Sequence, residues 1–210
     1  MTDKLIKLNL GCGQNQIPGH VNVDKFGEPD VRHDLETFPW PWEENSVKEI
    51  VLNHTLEHLG QSASIYLKIV KEIYRICAPG ATIFIVVPHP RHDHFLNDPT
   101  HVRAVTADSL ELLSKNKNAA WAAKGCSNSP LGLFLDVDFE LVSSTYVLDP
   151  FWKERLDNGV YTETEIHQAI KRYNNVVQET RFVLRAVKDE KTDSSKDSEN
   201  RGTPFRGAKE

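Results

Sequence analysis

Apolar residues in the first hundred positions fall in short runs cut by turn residues. Leu5-Ile6-Lys7-Leu8-Asn9-Leu10 is largely apolar and is halted by Gly11-Cys12-Gly13, which reads as a buried strand. His20-Val21-Asn22-Val23-Asp24 follows the turn signal Ile17-Pro18-Gly19 and reads as a second strand. Val31 to Asp34 gives a very short third strand, and Ser46 to Asn53 a fourth. Between them, Phe38-Pro39-Trp40-Pro41-Trp42 contains two prolines and so fits neither a regular helix nor a central strand. The period then changes. Ile65, Ile69, Val70, Ile73 and Cys77 share one face at helical spacing, which predicts a helix from Ser62 to Ala78, started by Ser62 or Ser64 and ended by Pro79-Gly80. Thr82 to Val87 is β-branched and apolar, as a strand covered on both faces must be. A short helix is predicted from Thr106 to Leu113, and strands at Phe139–Leu148 and Thr180–Val187. Helical turns at Trp152–Leu156 and Glu163–Tyr173 fall between those strands.

Strands alternating with helices predict an α/β fold, an open and mostly parallel sheet with helices on both faces. The last two strands lack a crossover pattern, so an antiparallel edge is expected near the C-terminus. Residues 1–187 make one domain. Residues 188–210 are rich in Lys, Asp, Glu and Ser and read as a disordered charged tail.

Composition sharpens this in two places. The 210 residues carry a formal net charge of −5, which speaks against a nucleic-acid partner. The three cysteines are far apart and odd in number, so they form neither a disulfide framework nor a CxxC zinc pattern. With no signal-like apolar segment at the start and no run long enough to span a bilayer, a reducing, cytoplasmic setting is expected. Nothing in the pattern sets an oligomeric state.

The chemistry collects at the strand exits. A strand running into Gly11-Cys12-Gly13 lets backbone approach a ligand closely. Asp24 ends the next strand, where a carboxylate can accept both hydroxyls of a ribose. The nicotinamide fingerprint fails here. Its third glycine is Gln16, and Asp24 falls too early for the acid expected about 20 residues on.

Leu8-Asn9-Leu10-Gly11-Cys12-Gly13 followed by Pro18-Gly19-His20-Val21-Asn22-Val23-Asp24 resembles the first motifs of class I S-adenosylmethionine-dependent methyltransferases. Within them it resembles a small subgroup that reads L-N-L-G-C-G, then P-G-x-V-N-V-D. Three further segments resemble that subgroup in order. They are Asp34-Leu35 with Phe38 to Val47, His54-Thr55-Leu56-Glu57-His58, and Tyr74 to Gly80. The resemblance covers residues 5–105. It implies a Rossmann-like seven-stranded sheet with S-adenosyl-L-methionine over the strand carboxyl ends. It assigns Gly11, Cys12 and Gly13 to the methionine and ribose portion, Asp24 to the ribose hydroxyls and Asp34 and Leu35 to the adenine. Asn53 and His54 are placed beside the sulfonium and the substrate. Asn9 and Asn15 depart from the family pattern. The connection from Gly11 to Gly19 is short, so the first crossover helix is expected to be a single turn or lost.

His89, His92, His94 and His101 follow the Thr82–Val87 strand, among prolines. Their spacing fits no H-E-x-x-H helix, and no metal is assigned. Asn97 to Arg103 resembles a D-P-x-H-x-R run of the subgroup. This makes His101 the first candidate for a general base, with Asp98 orienting it and His94 second. The expected activity is methyl transfer to an oxygen or nitrogen of a small or medium-sized acceptor, a small molecule or a glycan- or lipid-type molecule. Segments 88–128 and 150–177 would cover the acceptor. A non-catalytic cofactor-binding module and a histidine-based metal-dependent hydrolase are the competing readings.

Overall fold

The computed structural model describes residues 5–188. Apart from Lys188, the expected tail lies outside the described residues. Lys188 belongs to the folded body, its Nζ donating to Asn45 Oδ1 at 2.7 Å and to the Cys77 carbonyl at 2.7 Å.

Among the described residues, seven strands form one sheet. They are β1 (Ile6–Leu10), β2 (Val21–Asp24), β3 (Val31–Arg32), β4 (Val47–Asn53), β5 (Cys77–Pro88), β6 (Phe139–Leu148) and β7 (Val177–Ala186), in the order β3-β2-β1-β4-β5-β7-β6. The first five run parallel, whereas β7 is antiparallel to both β5 and β6. The sequence predicts this Rossmann-like α/β sheet, including its antiparallel end. β5 begins five residues earlier than its apolar run, because Cys77 pairs with Val47 before a register shift and a positive φ of 75° at Gly80.

Helix α1 (Ala63–Ile76) joins β4 to β5 and turns Tyr66, Ile69, Val70, Ile73 and Ile76 inward, with Ser62 capping its start. These side chains share a core with Leu8, Leu10, Ile50, Leu52, Ile83, Ile85, Phe182 and Leu184, the alternate residues of the central strands. Alternation puts Val51, Phe84, Val86 and Val183 on the other face, where Phe84 is 38% exposed.

Six further helices lie beyond β5: α2 (Asp93–Leu96), α3 (Ala107–Glu111), α4 (Lys115–Ala123), α5 (Leu131–Leu135), α6 (Pro150–Asp157) and α7 (Glu163–Arg172). Three of these, α2, α4 and α5, have no apolar period to announce them. In α4 the only buried residue is Asn118. Its amide bridges the Leu112 carbonyl at 3.0 Å and the Leu133 N–H at 3.2 Å, so hydrogen bonds place that helix rather than an apolar face.

The connections from β1 to β2, β2 to β3 and β3 to β4 contain no helix. Buried amides take its place in the first of them. Asn9, 2% exposed, donates from Nδ2 to Asn22 Oδ1 at 2.9 Å and to the Asn15 carbonyl at 2.9 Å. Asn22 Oδ1 also accepts the Ile17 N–H at 2.8 Å, and Asn22 Nδ2 donates to Asp30 Oδ2 at 2.9 Å. The loop thus satisfies its polar groups without helical bonds, as buried backbone must. Replacing Asn22 with Ala strands these partners. It is expected to cost about 1–3 kcal/mol of stability in urea unfolding; an unchanged midpoint would mean that the amide network does not hold the crossover.

Candidate active site

An open cleft of about 620 Å³ lies over the carboxyl ends of β1 to β4. In an open α/β sheet this edge is where ligands bind. Gly11 lines the cleft after β1, Asp24 to Phe26 after β2, His33 to Glu36 after β3, and His54, Thr55, His58 and Leu59 after β4. Pro99, Thr100 and Val102 close it from the loop after α2.

The β1 exit is fixed by sterics. Gly11 has φ +69°, and a Cβ there would stand 2.3 Å from Thr55 Cγ2. Thr55 Oγ1 contacts the carbonyls of Leu10 at 3.1 Å and Gly11 at 3.3 Å. The amides of Gly11 and Cys12 donate to the Val23 carbonyl at 2.8 and 3.0 Å, closing the turn onto β2. At the β2 exit, Asp24 Oδ2 accepts the Gly13 N–H at 2.9 Å and Oδ1 accepts the Phe26 N–H at 2.8 Å. One amide on each oxygen holds the carboxylate in place, and each oxygen keeps a further lone pair for a ligand. Asp34 accepts the Glu36 N–H at 3.0 Å and faces Lys25 Nζ at 3.6 Å.

After β4 the chain takes a rare conformation. His54 has φ +50°, uncommon for a residue with a side chain. Its imidazole bridges two carboxylates, Glu57 at 3.3 Å from Nδ1 and Glu179 at 3.1 Å from Nε2. Together they hold its pKa above the ordinary value, against a burial that lowers it. Leu56–His58 forms a short 3₁₀ turn with Glu57 fully buried. The Glu57 carbonyl accepts the N–H groups of Val102 at 2.9 Å and Arg103 at 3.2 Å, which ties the loop carrying His101 to this turn. Arg103 adds a bond to the Gly60 carbonyl at 2.6 Å and lies over the Tyr66 ring at 4.0 Å.

The two histidines brought together this way have defined tautomers. His101 Nδ1 is 2.9 Å from the Phe95 carbonyl, which can only accept, so Nδ1 carries the proton. Thr100 Oγ1 spends its hydrogen on Asp98 Oδ1 at 2.6 Å, so the His58 Nδ1 at 2.9 Å must donate to it. In the neutral form of either ring the lone pair is on Nε2, and the ring centroids are 4.6 Å apart.

Of the residues singled out in the sequence, Gly11, Asp24, Asp34, Leu35 and His54 line the cleft. Cys12 and Gly13 form the turn behind it, and Asn53 is exposed at the end of β4. His101 and Asp98 flank the lining residues Pro99, Thr100 and Val102. The group on His101 Nδ1 is the Phe95 carbonyl. Asp98 lies 3.9 Å from Nε2 instead and is occupied by Thr100, whose bonds hold its carboxyl below the usual range. His94 is exposed on α2, beside His92, and is not among the lining residues. Glu179, Thr55, Thr100 and Phe26 carried no signal. Glu179 reaches His54 from a strand 125 residues away, and Thr55 matters through its contacts with Gly11 and the Leu10 carbonyl.

The sequence matches no family model, and no curated protein matches it either. The fold does have counterparts among solved structures. A SAM-dependent methyltransferase from Archaeoglobus fulgidus superposes with a TM-score of 0.52 at 15% identity, over 87% of each chain. A SAM-dependent methyltransferase from Methanosarcina mazei gives 0.50 at 13% identity, over 90% of this chain and 95% of that one. The YcgJ protein from Bacillus subtilis gives 0.50 at 13% identity, over 90% and 94%. The fold is the Rossmann-like one that these S-adenosylmethionine-dependent methyltransferases share. No helix among the described residues is long and apolar enough to cross a membrane.

The Gly11 contact gives a paired test. Gly11→Ala meets both the Thr55 clash and an unfavourable φ, whereas Gly13→Ala, with φ +49°, meets open space. The first is expected to lose about 2–4 kcal/mol and the second about 1 kcal/mol in urea unfolding; equal losses would remove the special role of the Thr55 approach.

Proposed function

We propose that the protein is an S-adenosyl-L-methionine-dependent methyltransferase that methylates an oxygen or nitrogen of a small or medium-sized acceptor. The carrying observation is the Asp24 carboxylate, held by two backbone amides at the β2 exit of a cleft formed by four parallel strand ends. A nucleoside needs such a group for its ribose hydroxyls, and the cleft volume suits a ligand of that size. The cofactor supplies the electrophilic methyl group.

The chain supplies position and proton management. Asp24 accepts from the ribose hydroxyls. Asp34 accepts from the adenine amine, with Leu35 packed against the base. Gly11, free of a Cβ, lets the methionine portion approach the β1 exit, with Cys12 and Gly13 shaping the turn. Asn53 and His54 stand nearest the sulfonium. Alignment of this kind accounts for most of what a protein contributes to an in-line displacement. Where the acceptor must lose a proton, His101 offers Nε2, because Phe95 has fixed the proton on Nδ1. Segment 88–128, with α6 and α7, covers the acceptor.

The test reads binding and transfer separately. Asp24→Ala is expected to weaken S-adenosylhomocysteine about 10–100-fold in calorimetry, the worth of hydrogen bonds to a charged group. His101→Ala should bind it as the parent does, while label transfer from methyl-labelled S-adenosylmethionine, over a panel of alcohols, phenols and amines, falls about 10²–10⁴-fold. Unchanged affinity in Asp24→Ala would refute the cofactor site. Binding without transfer to any acceptor would favour a cofactor-binding module.

A further inference from the structure

We infer that Glu57, His58 and His101 form a binding site for a first-row divalent metal ion at the edge of the cleft. One ligand atom from each lies within 4.8 Å of the other two. Two independent features make this more than proximity. The first is Glu57, which is fully buried yet has no hydrogen bond at either carboxylate oxygen among the described residues. Its Oε1 has an ion-pair contact with His54 Nδ1 at 3.3 Å, and Oε2 has no partner among the described residues. A buried carboxylate is costly unless a cation or a set of donors meets it.

The second feature is the pair of tautomers. His58 gives its Nδ1 proton to Thr100, and His101 gives its own to the Phe95 carbonyl. The group therefore offers two imidazoles and one carboxylate, flanked by His54 at 3.3 Å from Glu57 Oε1 and by Asp98 at 3.9 Å from His101 Nε2. A divalent metal ion is a ligand that all three residues can meet at once. The Nδ1 bonds are the outer contacts that metal-bound histidines require, fixing ring and tautomer. Asp98 takes part at one remove, since it orients the Thr100 hydroxyl.

Two imidazoles and one carboxylate select a metal such as zinc, iron or manganese over calcium or magnesium, which prefer all-oxygen sites. Three protein ligands leave a coordination position open, the arrangement of metals that act on substrates. Ligand atoms 2.0–2.1 Å from zinc stand about 3.3 Å apart, so binding draws the three side chains together. His58 and Thr100 line the cleft, so the open position serves a molecule bound there.

The use of the site rests on the methyl-transfer reading. An ion held here takes up the His101 lone pair, so it replaces His101 as the means of activating the acceptor, and it lowers the pKa of a hydroxyl bound to it. The acceptor is then an alcohol or phenol, bound through oxygen, and its proton leaves to water.

The experiment uses the full chain, stripped with chelator and dialysed against zinc or manganese, with bound metal measured by elemental analysis and affinity by calorimetry. One equivalent per chain is expected for at least one ion. Affinity should fall at least 100-fold in Glu57→Gln, which keeps the shape of the buried side chain, and in His101→Ala. Circular dichroism confirms that both variants are folded. The metal should raise the melting temperature of the parent and leave that of Glu57→Gln unmoved. Substoichiometric metal, or equal affinity in parent and both folded variants, overturns the site. S-adenosylhomocysteine binding is read on the same samples. Metal binding without cofactor binding would remove the methyl-transfer reading and leave the site standing; cofactor binding without metal would do the reverse.

Discussion

The close approach of Thr55 to Gly11 joins the two sides of the cleft. A threonine after β4 packs where a Cβ on Gly11 would stand and reaches the last carbonyls of β1 with its hydroxyl. From that contact the turn continues to Glu57 and Gly60, whose carbonyls receive the backbone of Val102 and the backbone and guanidinium of Arg103. One short segment therefore sets the distance between the glycine turn and the histidine loop. The strained φ at His54 sits within it, in a place where the surrounding bonds over-determine the backbone.

The first half of the sheet is unusually economical. Three successive parallel connections have no helix. Asn9 and Asn22 replace packing with directed hydrogen bonds. The same residues fix where Asp24 emerges, since Asn22 precedes it on β2 by two positions and is tied to the β1 loop. A buried polar network costs stability if any member is left unpaired, but fully satisfied it specifies one geometry. Here that geometry is the entrance to the cleft.

Much of this was legible in the sequence because it rests on local patterns. The apolar runs of β1, β2, β4 and β5, the face of α1 and the antiparallel end all follow from periodicity and turn residues. Asp24 and the glycine turn are readable because strand exits in such a sheet converge on one edge. The rest depends on contacts distant in sequence. The burial of Glu57 has no local sign, because it rests on Val102 and Arg103, whose N–H groups bind its carbonyl from 45 and 46 residues away. The histidines after β5 are close in sequence but part in space: His92 and His94 pair with each other near α2, while His101 joins His58. The orienting group on His101 is a backbone carbonyl, which no side-chain motif can announce. α4 escaped notice because a single buried amide places it.

The proposed function requires a nucleoside-bearing cofactor seated over β1 to β4. Amide hydrogen exchange of the full chain, with and without S-adenosylhomocysteine, tests this most directly. Added protection is predicted at residues 11–13, 24–26, 34–36 and 54–59, with the hollow around Tyr74, Arg75 and Val137 at the other end of the sheet unchanged. No change in exchange at saturating ligand, or protection confined to that second hollow, would contradict it.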